Sequence, residues 1–361
     1  MERKGDAEIS QMSDAAPGTL VVRADADVTR GIGHVMRCLA IAQEWRAIGG
    51  DVVFALHDAA VVEERLRSEG MGIHVIRATP GSAEDASQLT EVARARSAAW
   101  VVVDGYCFDE TYQLGLGQSN WKLLFLDDFG HAGRYYADLI LNQSPQGASI
   151  SYPHLPKYAK LLLGPEYALL RREFKASRGS GIQVPSVAHR LLVTMGGTDE
   201  GNVTERVMEA LPLLQMPRLE AIVVLGLGNP HKSSIRRTAA NLGVAVKLLE
   251  SPPNMPEVMM DADLAISAGG GTCYELALLR VPMFLITTAQ NQEPTCRALA
   301  EKDAAIDGGW FHALESERLA VALRGIMIDA IRRKSLIESA SKLVDGEGAS
   351  RVVKRMLTVG A

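Results

Sequence analysis

Short apolar runs alternate along this chain with longer segments in which apolar residues recur at helical spacing. The first unit is a predicted strand from Leu20 to Arg23, a glycine-containing turn and a predicted helix from Val35 to Ile48. Alternation of this kind is typical of parallel sheets covered by helices. Five further strands are predicted in the first half, beginning near Asp51, Ile73, Trp100, Lys122 and Asp138.

The same pattern restarts after a stretch rich in Ser, Gly and Pro, from about Ser177 to His189. Loops of that composition separate regular elements, which predicts a domain boundary here. The second half contains the strand-like runs RLLVT, AIVVLG, VAVKLLE, ADLAIS and PMFLITT, and it is predicted to be mostly helical after Gln290. Two similar folds in tandem are therefore expected.

The predicted architecture is an α/β chain with two Rossmann-like domains. We place a flexible tail at 1–18, the first domain at 19–180 and the second at 181–361. A final amphipathic segment near Ala349 to Leu357 is expected to run back over the first domain. A chain of 361 residues is long enough for two separate cores.

Composition excludes several classes of protein. Apolar residues make up 47% and charged residues 22% of the chain, which is ordinary for a globular protein. The formal net charge of -5 and the lack of a long basic run argue against a nucleic-acid partner. The four scattered cysteines and the histidines show no metal-ligand spacing, and no apolar run approaches the roughly 20 residues of a membrane span. We expect a cytoplasmic monomer without metal or cofactor.

Ligands of open α/β sheets bind beyond the carboxyl ends of the strands, so the loops after the predicted strands hold the candidate residues. In the first loop, Gly31 and Gly33 allow close backbone approach and His34 begins a helix. A helix N-terminus suits an anion and favours a neutral imidazole, which can accept a proton. The alternative is that the glycines only shape a turn and His34 only caps the helix.

The loop after the strand at Trp100 places Asp104 and Tyr106 at the same edge. They are expected to contact a substrate or to assist His34, although Asp104 would equally serve as an ordinary helix cap. Asp127 and Asp128, after the next strand, are left out because such residues commonly satisfy loop backbones.

The second half offers glycine-rich loops that lack the endings of a P-loop or a dinucleotide fingerprint. They are expected to cradle a diphosphate through backbone N–H groups, or else to form turns only. Glu275, in the first turn of the next helix, suits two ribose hydroxyls or simply the positive helix end. The remaining candidates, with amides expected to bind a sugar or cap a helix, are Gly196, Gly197, Thr198, Gly270, Gly271, Thr272, Asn291 and Gln292.

Several segments resemble, in content and order, the UDP-sugar hydrolase family of pseudaminic acid biosynthesis. They are RADADVTRGIGHVMRCLAIA, VVVDGYCFDE, LLFLDDFG, ADLILNQ, LLGPEYALLRREF, VTMGGTDEGN, SAGGGTCYELALLRVP and QNQ. The resemblance spans about Leu20 to Leu299. It implies a GT-B fold, with two domains facing a central cleft and UDP held by the second.

The resemblance further implies hydrolysis of UDP-2,4-diacetamido-2,4,6-trideoxy-β-L-altropyranose, a step that supplies a sugar for flagellin glycosylation. His34 corresponds to the family's catalytic histidine, Tyr106 to its cleft tyrosine and Asn291 to its amide residue. Glu275 corresponds to the ribose contact, and Arg37 of the GIGHVMRC motif joins the candidate substrate-binding residues. A glycosyltransferase using a related UDP-amino sugar, a hydrolase for an isomeric sugar and a catalytically silent binding subunit remain alternatives.

Overall fold

The computed structural model describes residues 16–27, 31–117, 120–178 and 183–359. Within these ranges the first sheet has seven parallel strands in the order β3-β2-β1-β4-β5-β6-β7. The strands are β1 (Thr19–Ala24), β2 (Asp51–Leu56), β3 (Gly72–Val75), β4 (Ala98–Asp104), β5 (Lys122–Leu126), β6 (Leu139–Asn142) and β7 (Lys160–Leu163). The helices of this half are α1 (Gly33–Ala47), α2 (Glu63–Ser68), α3 (Ala83–Ala95), α4 (Glu110–Gly115) and α5 (Arg172–Ala176).

The second sheet has six parallel strands among the described residues, in the order β10-β9-β8-β11-β12-β13. These strands are β8 (Arg190–Thr194), β9 (Glu220–Leu225), β10 (Ala245–Glu250), β11 (Leu264–Ala268), β12 (Met283–Thr287) and β13 (Ile306–Trp310). The helices are α6 (Val203–Ala210), α7 (Lys232–Asn241), α8 (Met255–Met260), α9 (Thr272–Leu278), α10 (Glu293–Glu301), α11 (Ser316–Ile328), α12 (Ala330–Leu343) and α13 (Gly348–Thr358).

The central strands are buried on both faces because helices cover each sheet on both sides, which is why they appear in the sequence as continuous apolar runs. One face of the first sheet packs on α1 and α13, and the other packs on α3 and α4. The second sheet likewise has a core on each face. The predicted α/β class with two Rossmann-like domains is therefore confirmed.

The connection between the halves passes through both cores. Leu169 packs in the core of the first sheet, whereas Leu170 and Phe174 pack in the core of the second. From the other end of the chain, α13 returns to the first sheet, where Val352 and Met356 are buried against α1. The predicted boundary at 180–181 lies outside the described residues.

Two edge strands were not predicted. β13 lies in the region predicted to be mostly helical after Gln290, and β7 consists of a short Lys-Leu-Leu-Leu run. A short leucine run does not distinguish a strand from a buried helix, and two glycines weaken the strand pattern of β13. Of the predicted tail, residues 1–15 lie outside the described ranges. Gly18 is held in place, because its carbonyl accepts hydrogen bonds from the Trp45 indole and the Asp51 amide.

Candidate active site

The order of the central strands brings the polar loop residues of the first sheet together. β1 and β5 both pair with β4 in parallel, so the carboxyl ends of these three strands lie at one edge. The chain after β1 leads into α1, whose second residue is His34. Asp104 is the last residue of β4, and Asp128 follows β5 by two positions. Three segments far apart in sequence thus contribute to one cluster.

His34 and Asp104 form a hydrogen-bonded pair. The His34 Nδ1 atom lies 2.8 Å from Asp104 Oδ1, and the Asp104 side chain is 0% exposed while His34 is 20% exposed. Because a carboxylate only accepts hydrogen bonds, Nδ1 carries the proton in the neutral ring and Nε2 is the basic nitrogen. This is the arrangement of an orienting acid behind a general base.

Asp104 is held ionised by its neighbours. Burial alone would raise the pKa of its carboxyl, but Arg37 and His34 outweigh burial and lower that pKa well below the usual range. The Cys38 thiol also lies 3.5 Å from Asp104 Oδ2. Sequence reasoning placed Asp104 in the catalytic set. The structure pairs this buried carboxylate with His34, in agreement with the expectation that Asp104 assists His34, and its part in catalysis stays a prediction.

Arg37 joins two carboxylates. Its Nε and Nη2 atoms each donate to Asp104 at 2.6 Å, and its Nη1 atom donates to both oxygens of Asp128, at 2.8 and 3.0 Å. Burial alone would lower the pKa of the guanidinium. The two carboxylates outweigh burial and raise that pKa above its usual value, so Arg37 stays charged. Sequence reasoning expected substrate binding from Arg37. In the structure its guanidinium pairs with both acids, and substrate binding by Arg37 stays a prediction.

Tyr106 links this network to the second half of the chain. Gly105, with φ at +151°, turns the backbone directly after β4 and sends the Tyr106 ring toward the cleft, where it is 43% exposed. The phenol donates to Asp128 Oδ2 at 2.8 Å and accepts from Asn291 Nδ2 at 3.0 Å. Its ring packs edge-on against His34, with centroids 4.9 Å apart.

The Tyr106 phenol is a neutral hydrogen-bond donor in this setting. Desolvation raises the pKa of the phenol, and the nearby Asp128 carboxylate raises it further. Asp128 was left out of the candidate site in the sequence, yet its carboxylate contacts both Arg37 and Tyr106. The available signal was its position directly after the strand that neighbours β4. Asp127, by contrast, accepts from the Tyr135 hydroxyl and from two loop amides, as a loop-satisfying residue does.

The residues from the second sheet divide into two groups. Asn291 reaches the cleft, as described. The Gln292 side-chain oxygen instead accepts hydrogen bonds from Thr288 Oγ1, at 2.9 Å, and from the backbone amide of Thr288. The capping alternative therefore holds for the Gln292 oxygen. Glu275 receives a hydrogen bond from Arg171 at 3.0 Å; burial raises the pKa of its carboxyl and Arg171 opposes that rise.

The glycine loops differ in the space above them. Gly31 and Gly197 meet across the two halves, and the gap beside them has a volume of about 10 Å³, which is about enough for one water molecule. Side-chain atoms added at Gly33, Gly270 or Gly271 would meet nothing within 4 Å, so these positions border open space. Gly196 is equally open at φ +82°, and Thr198 contributes a methyl group near Gly31.

A cavity of about 790 Å³ lies beside the Tyr106–Asn291 contact. Its walls come from both halves of the chain: Tyr106, Asp128, Phe129, Gln146, Ser149 and Ile150 from the first, and Gln290, Asn291 and Pro294 from the second. The volume falls in the usual range of small-molecule sites. Among the residues that the structure describes, no group of His, Cys, Asp or Glu side chains is arranged to hold a metal ion, and no helix is long and apolar enough to cross a bilayer.

The two sheets with a cleft between their carboxyl edges define a GT-B fold. MurG of Acinetobacter baumannii superposes with a TM-score of 0.64 at 16% identity, covering 94% of this chain and 99% of that protein. Residues 190–344 match the glycosyltransferase family 28 C-terminal domain. The predicted GT-B fold is confirmed.

Two named proteins are similar to this chain in sequence. The spore coat polysaccharide biosynthesis protein SpsG of Bacillus subtilis is 27% identical over 65% of this chain and 69% of its own length. The pseudaminic acid cytidylyltransferase and UDP-2,4-diacetamido-2,4,6-trideoxy-β-L-altropyranose hydrolase of Helicobacter pylori is 24% identical over 80% of this chain. The alignment spans 48% of the length of that Helicobacter pylori protein.

Proposed function

We propose that this protein hydrolyses UDP-2,4-diacetamido-2,4,6-trideoxy-β-L-altropyranose to UDP and the free sugar, with His34 as general base. The observation that carries the proposal is the His34–Asp104 pair. The basic Nε2 belongs to the partly exposed His34 ring, which packs against Tyr106, and Tyr106 lines the interdomain cavity. The motif resemblance and the Helicobacter pylori relative, whose name includes this hydrolase, support the choice of substrate.

In the proposed reaction, a water oxygen forms a bond to the anomeric carbon while the bond from that carbon to the β-phosphate oxygen breaks. The bonding electrons leave with UDP, and one water proton moves to His34 Nε2, from which it is later released to solvent. A single displacement of this kind inverts the anomeric configuration. A well-placed general base contributes about 10²- to 10⁴-fold to the rate.

UDP is proposed to lie along the second sheet, where Gly270 and Gly271 leave open space and Thr272 begins α9. Backbone N–H groups there would stabilise the charge that develops on the departing diphosphate. Glu275, a turn further along α9, is proposed to accept the ribose hydroxyls. The sugar is proposed to occupy the cavity between Tyr106 and Asn291.

The second candidate is a glycosyltransferase that passes a related UDP-amino sugar to an acceptor. The match of residues 190–344 to a glycosyltransferase domain favours it. The cavity of about 790 Å³ would also admit an acceptor beside a monosaccharide. Fold does not decide between the two, because both reactions need the same nucleotide site.

The decisive experiment incubates the purified protein with this UDP-sugar in water labelled with heavy oxygen, without acceptor or metal. We expect NMR to show UDP and an inverted free sugar, and mass spectrometry to find the label in the sugar. His34→Ala should lower kcat by about 10²- to 10⁴-fold while UDP affinity, measured by calorimetry, is retained. Intact substrate together with clear UDP binding would favour the transferase or an isomeric sugar.

Two further variants control that experiment. His74 is exposed on the edge strand β3, so His74→Ala removes a histidine without touching the cleft and should behave as wild type. Glu275→Ala should weaken UDP-sugar binding more than it lowers the chemical rate. The opposite pattern, with His34→Ala affecting only binding, would overturn the assigned roles.

A further inference from the structure

The positive and negative charges in the hydrogen-bonded cluster next to His34 are unequal in number. Arg37 is one cation between two carboxylates, Asp104 and Asp128, all joined by hydrogen bonds of 2.6 to 3.0 Å. With neutral His34 the cluster therefore carries one uncompensated negative charge. When His34 holds a proton, two cations face two anions and the set is balanced. A proton taken up by His34 as water attacks would therefore complete the charge balance of the cluster.

Several side chains among the described residues surround His34. Asp104 contacts it from the end of β4, Arg37 lies 3.4 Å from its Nδ1 atom on the same helix, and the Tyr106 ring packs against it. One step further out, Asp128 meets Arg37 and Tyr106, and the His131 ring packs on Tyr106 with centroids 5.9 Å apart. Only Asp104 and Asp128 in this group supply negative charge.

The two acids occupy different positions. Asp104 is completely buried and touches His34 directly, so removing it disturbs both orientation and charge. The Asp128 side chain is 19% exposed, and it is linked to His34 through Arg37 and through the Tyr106 ring rather than by direct contact. It also fixes the phenol of Tyr106, with an oxygen-to-oxygen distance of 2.8 Å. Asp128 therefore offers a way to change the charge of the network without moving the base.

We propose that Asp128 is a positioning residue with two effects. It strengthens His34 as a base through Arg37, and it holds Tyr106 at the cavity wall. This inference rests on the proposed function, in which His34 must be neutral to accept a proton from water. Replacing Asp128 by an uncharged residue weakens the base, because protonated His34 then belongs to a cluster with excess positive charge.

The test compares Asp128→Asn, Asp128→Glu and Tyr106→Phe. Asp128→Asn keeps an acceptor for Tyr106 and removes the charge. We expect kcat to fall about tenfold and the acidic limb of the pH–kcat profile to move to lower pH by about one unit. Asp128→Glu should restore the position of the limb. Tyr106→Phe should lower kcat and leave the limb in place, because the charges are unchanged.

Glu91→Gln is the matched control, since it removes the same charge from an exposed position on α3. The proposal would be overturned if the acidic limb of the pH–kcat profile stayed at the wild-type pH in Asp128→Asn. It would also be overturned if Glu91→Gln moved that limb by the same amount. A moved limb in Tyr106→Phe would contradict it as well, and this variant keeps the test decisive should Asp128→Asn fail to fold. KM for the UDP-sugar and the affinity for UDP should stay near the wild-type values in Asp128→Asn.

A second measurement does not depend on turnover. The ring signals of His34 are assigned by NMR from the spectrum of His34→Ala and followed with pH in wild type and in Asp128→Asn. We expect the change in those signals to occur at lower pH in the variant. No release of UDP by wild type, together with this NMR difference, would reject the proposed function alone. Turnover by wild type with identical NMR profiles would reject the role of Asp128 alone.

Discussion

The two sides of the cleft are built from the same strand, loop and helix unit, yet their loops carry different groups. On the first sheet, the loops after β1, β4 and β5 carry side chains that are already paired with one another: His34, Asp104, Arg37, Asp128 and Tyr106. On the second sheet, the glycine loop before α9 borders open space at Gly270 and Gly271.

The difference separates two ways of building a site. Paired charges in a buried network are fixed before a ligand arrives, which suits groups that must act at one atom during a reaction. Open backbone leaves N–H groups for the ligand itself to satisfy, which suits binding of an extended anion. On this view, substitutions in the loops of the first sheet should alter the reaction rate and the stability of the protein at acidic pH. Changes on the second should alter affinity or packing.

The largest of these effects is expected from the buried acid. Asp104→Asn should lower the free energy of unfolding at neutral pH by about 3 kcal/mol, because Arg37 and His34 lose a buried partner. The pKa of Asp104 is lower in the folded state than in the unfolded chain, so its contribution is complete above that unfolded value, near pH 4, and is lost as the pH falls further.

Denaturant unfolding at several pH values measures this effect. The difference between wild type and Asp104→Asn should be constant from about pH 7 to pH 5 and should shrink below about pH 4. Asp104→Ala at the same pH values separates the loss of charge from the loss of the hydrogen-bonding group. A difference that is independent of pH would mean that Asp104 does not hold a lowered pKa.

A smaller effect is expected within the second half, where the loops after β8 and β9 meet as packed backbone. A Cβ at Gly226 would overlap the carbonyl oxygens of Gly196 and Gly197, so the loop after β8 would have to move. Gly226→Ala should destabilise the protein by about 1–3 kcal/mol, measured as a loss of unfolding free energy. An unchanged unfolding curve would show that this loop adjusts freely.

The smallest effect is expected at the open glycine loop. Gly271 has φ at −57° and an added methyl group meets nothing, so Gly271→Ala should leave the unfolding curve as it is. If a diphosphate lies above this loop, the methyl group should lower UDP affinity by about tenfold, or about 1.4 kcal/mol. Gly243→Ala tests the opposite case. Gly243 lies in the turn between α7 and the edge strand β10 with φ at +70°, where an alanine would be strained, so this change should lower stability rather than affinity. Unchanged UDP affinity in Gly271→Ala would place the nucleotide elsewhere.

The sequence predicts the fold well and the site in part. Eleven of the strands were expected because buried parallel strands form continuous apolar runs, and the turns after them contain glycine. The edge strands β7 and β13 were missed, since an edge strand is less buried and carries a weaker pattern. His34, Tyr106, Glu275 and Asn291 were named as candidates because each follows a strand or begins a helix, and because the surrounding motifs resemble a known family.

The partners of those residues were decided by tertiary structure. Asp104 and Asp128 follow strands that look alike in the sequence, and only the pairing of both β1 and β5 with β4 brings the two acids to Arg37. The sequence by itself determined which loops carry reactive groups, because that depends on local pattern. Which groups share hydrogen bonds and charge depended on the order of the strands, since those contacts join residues 67 to 91 positions apart.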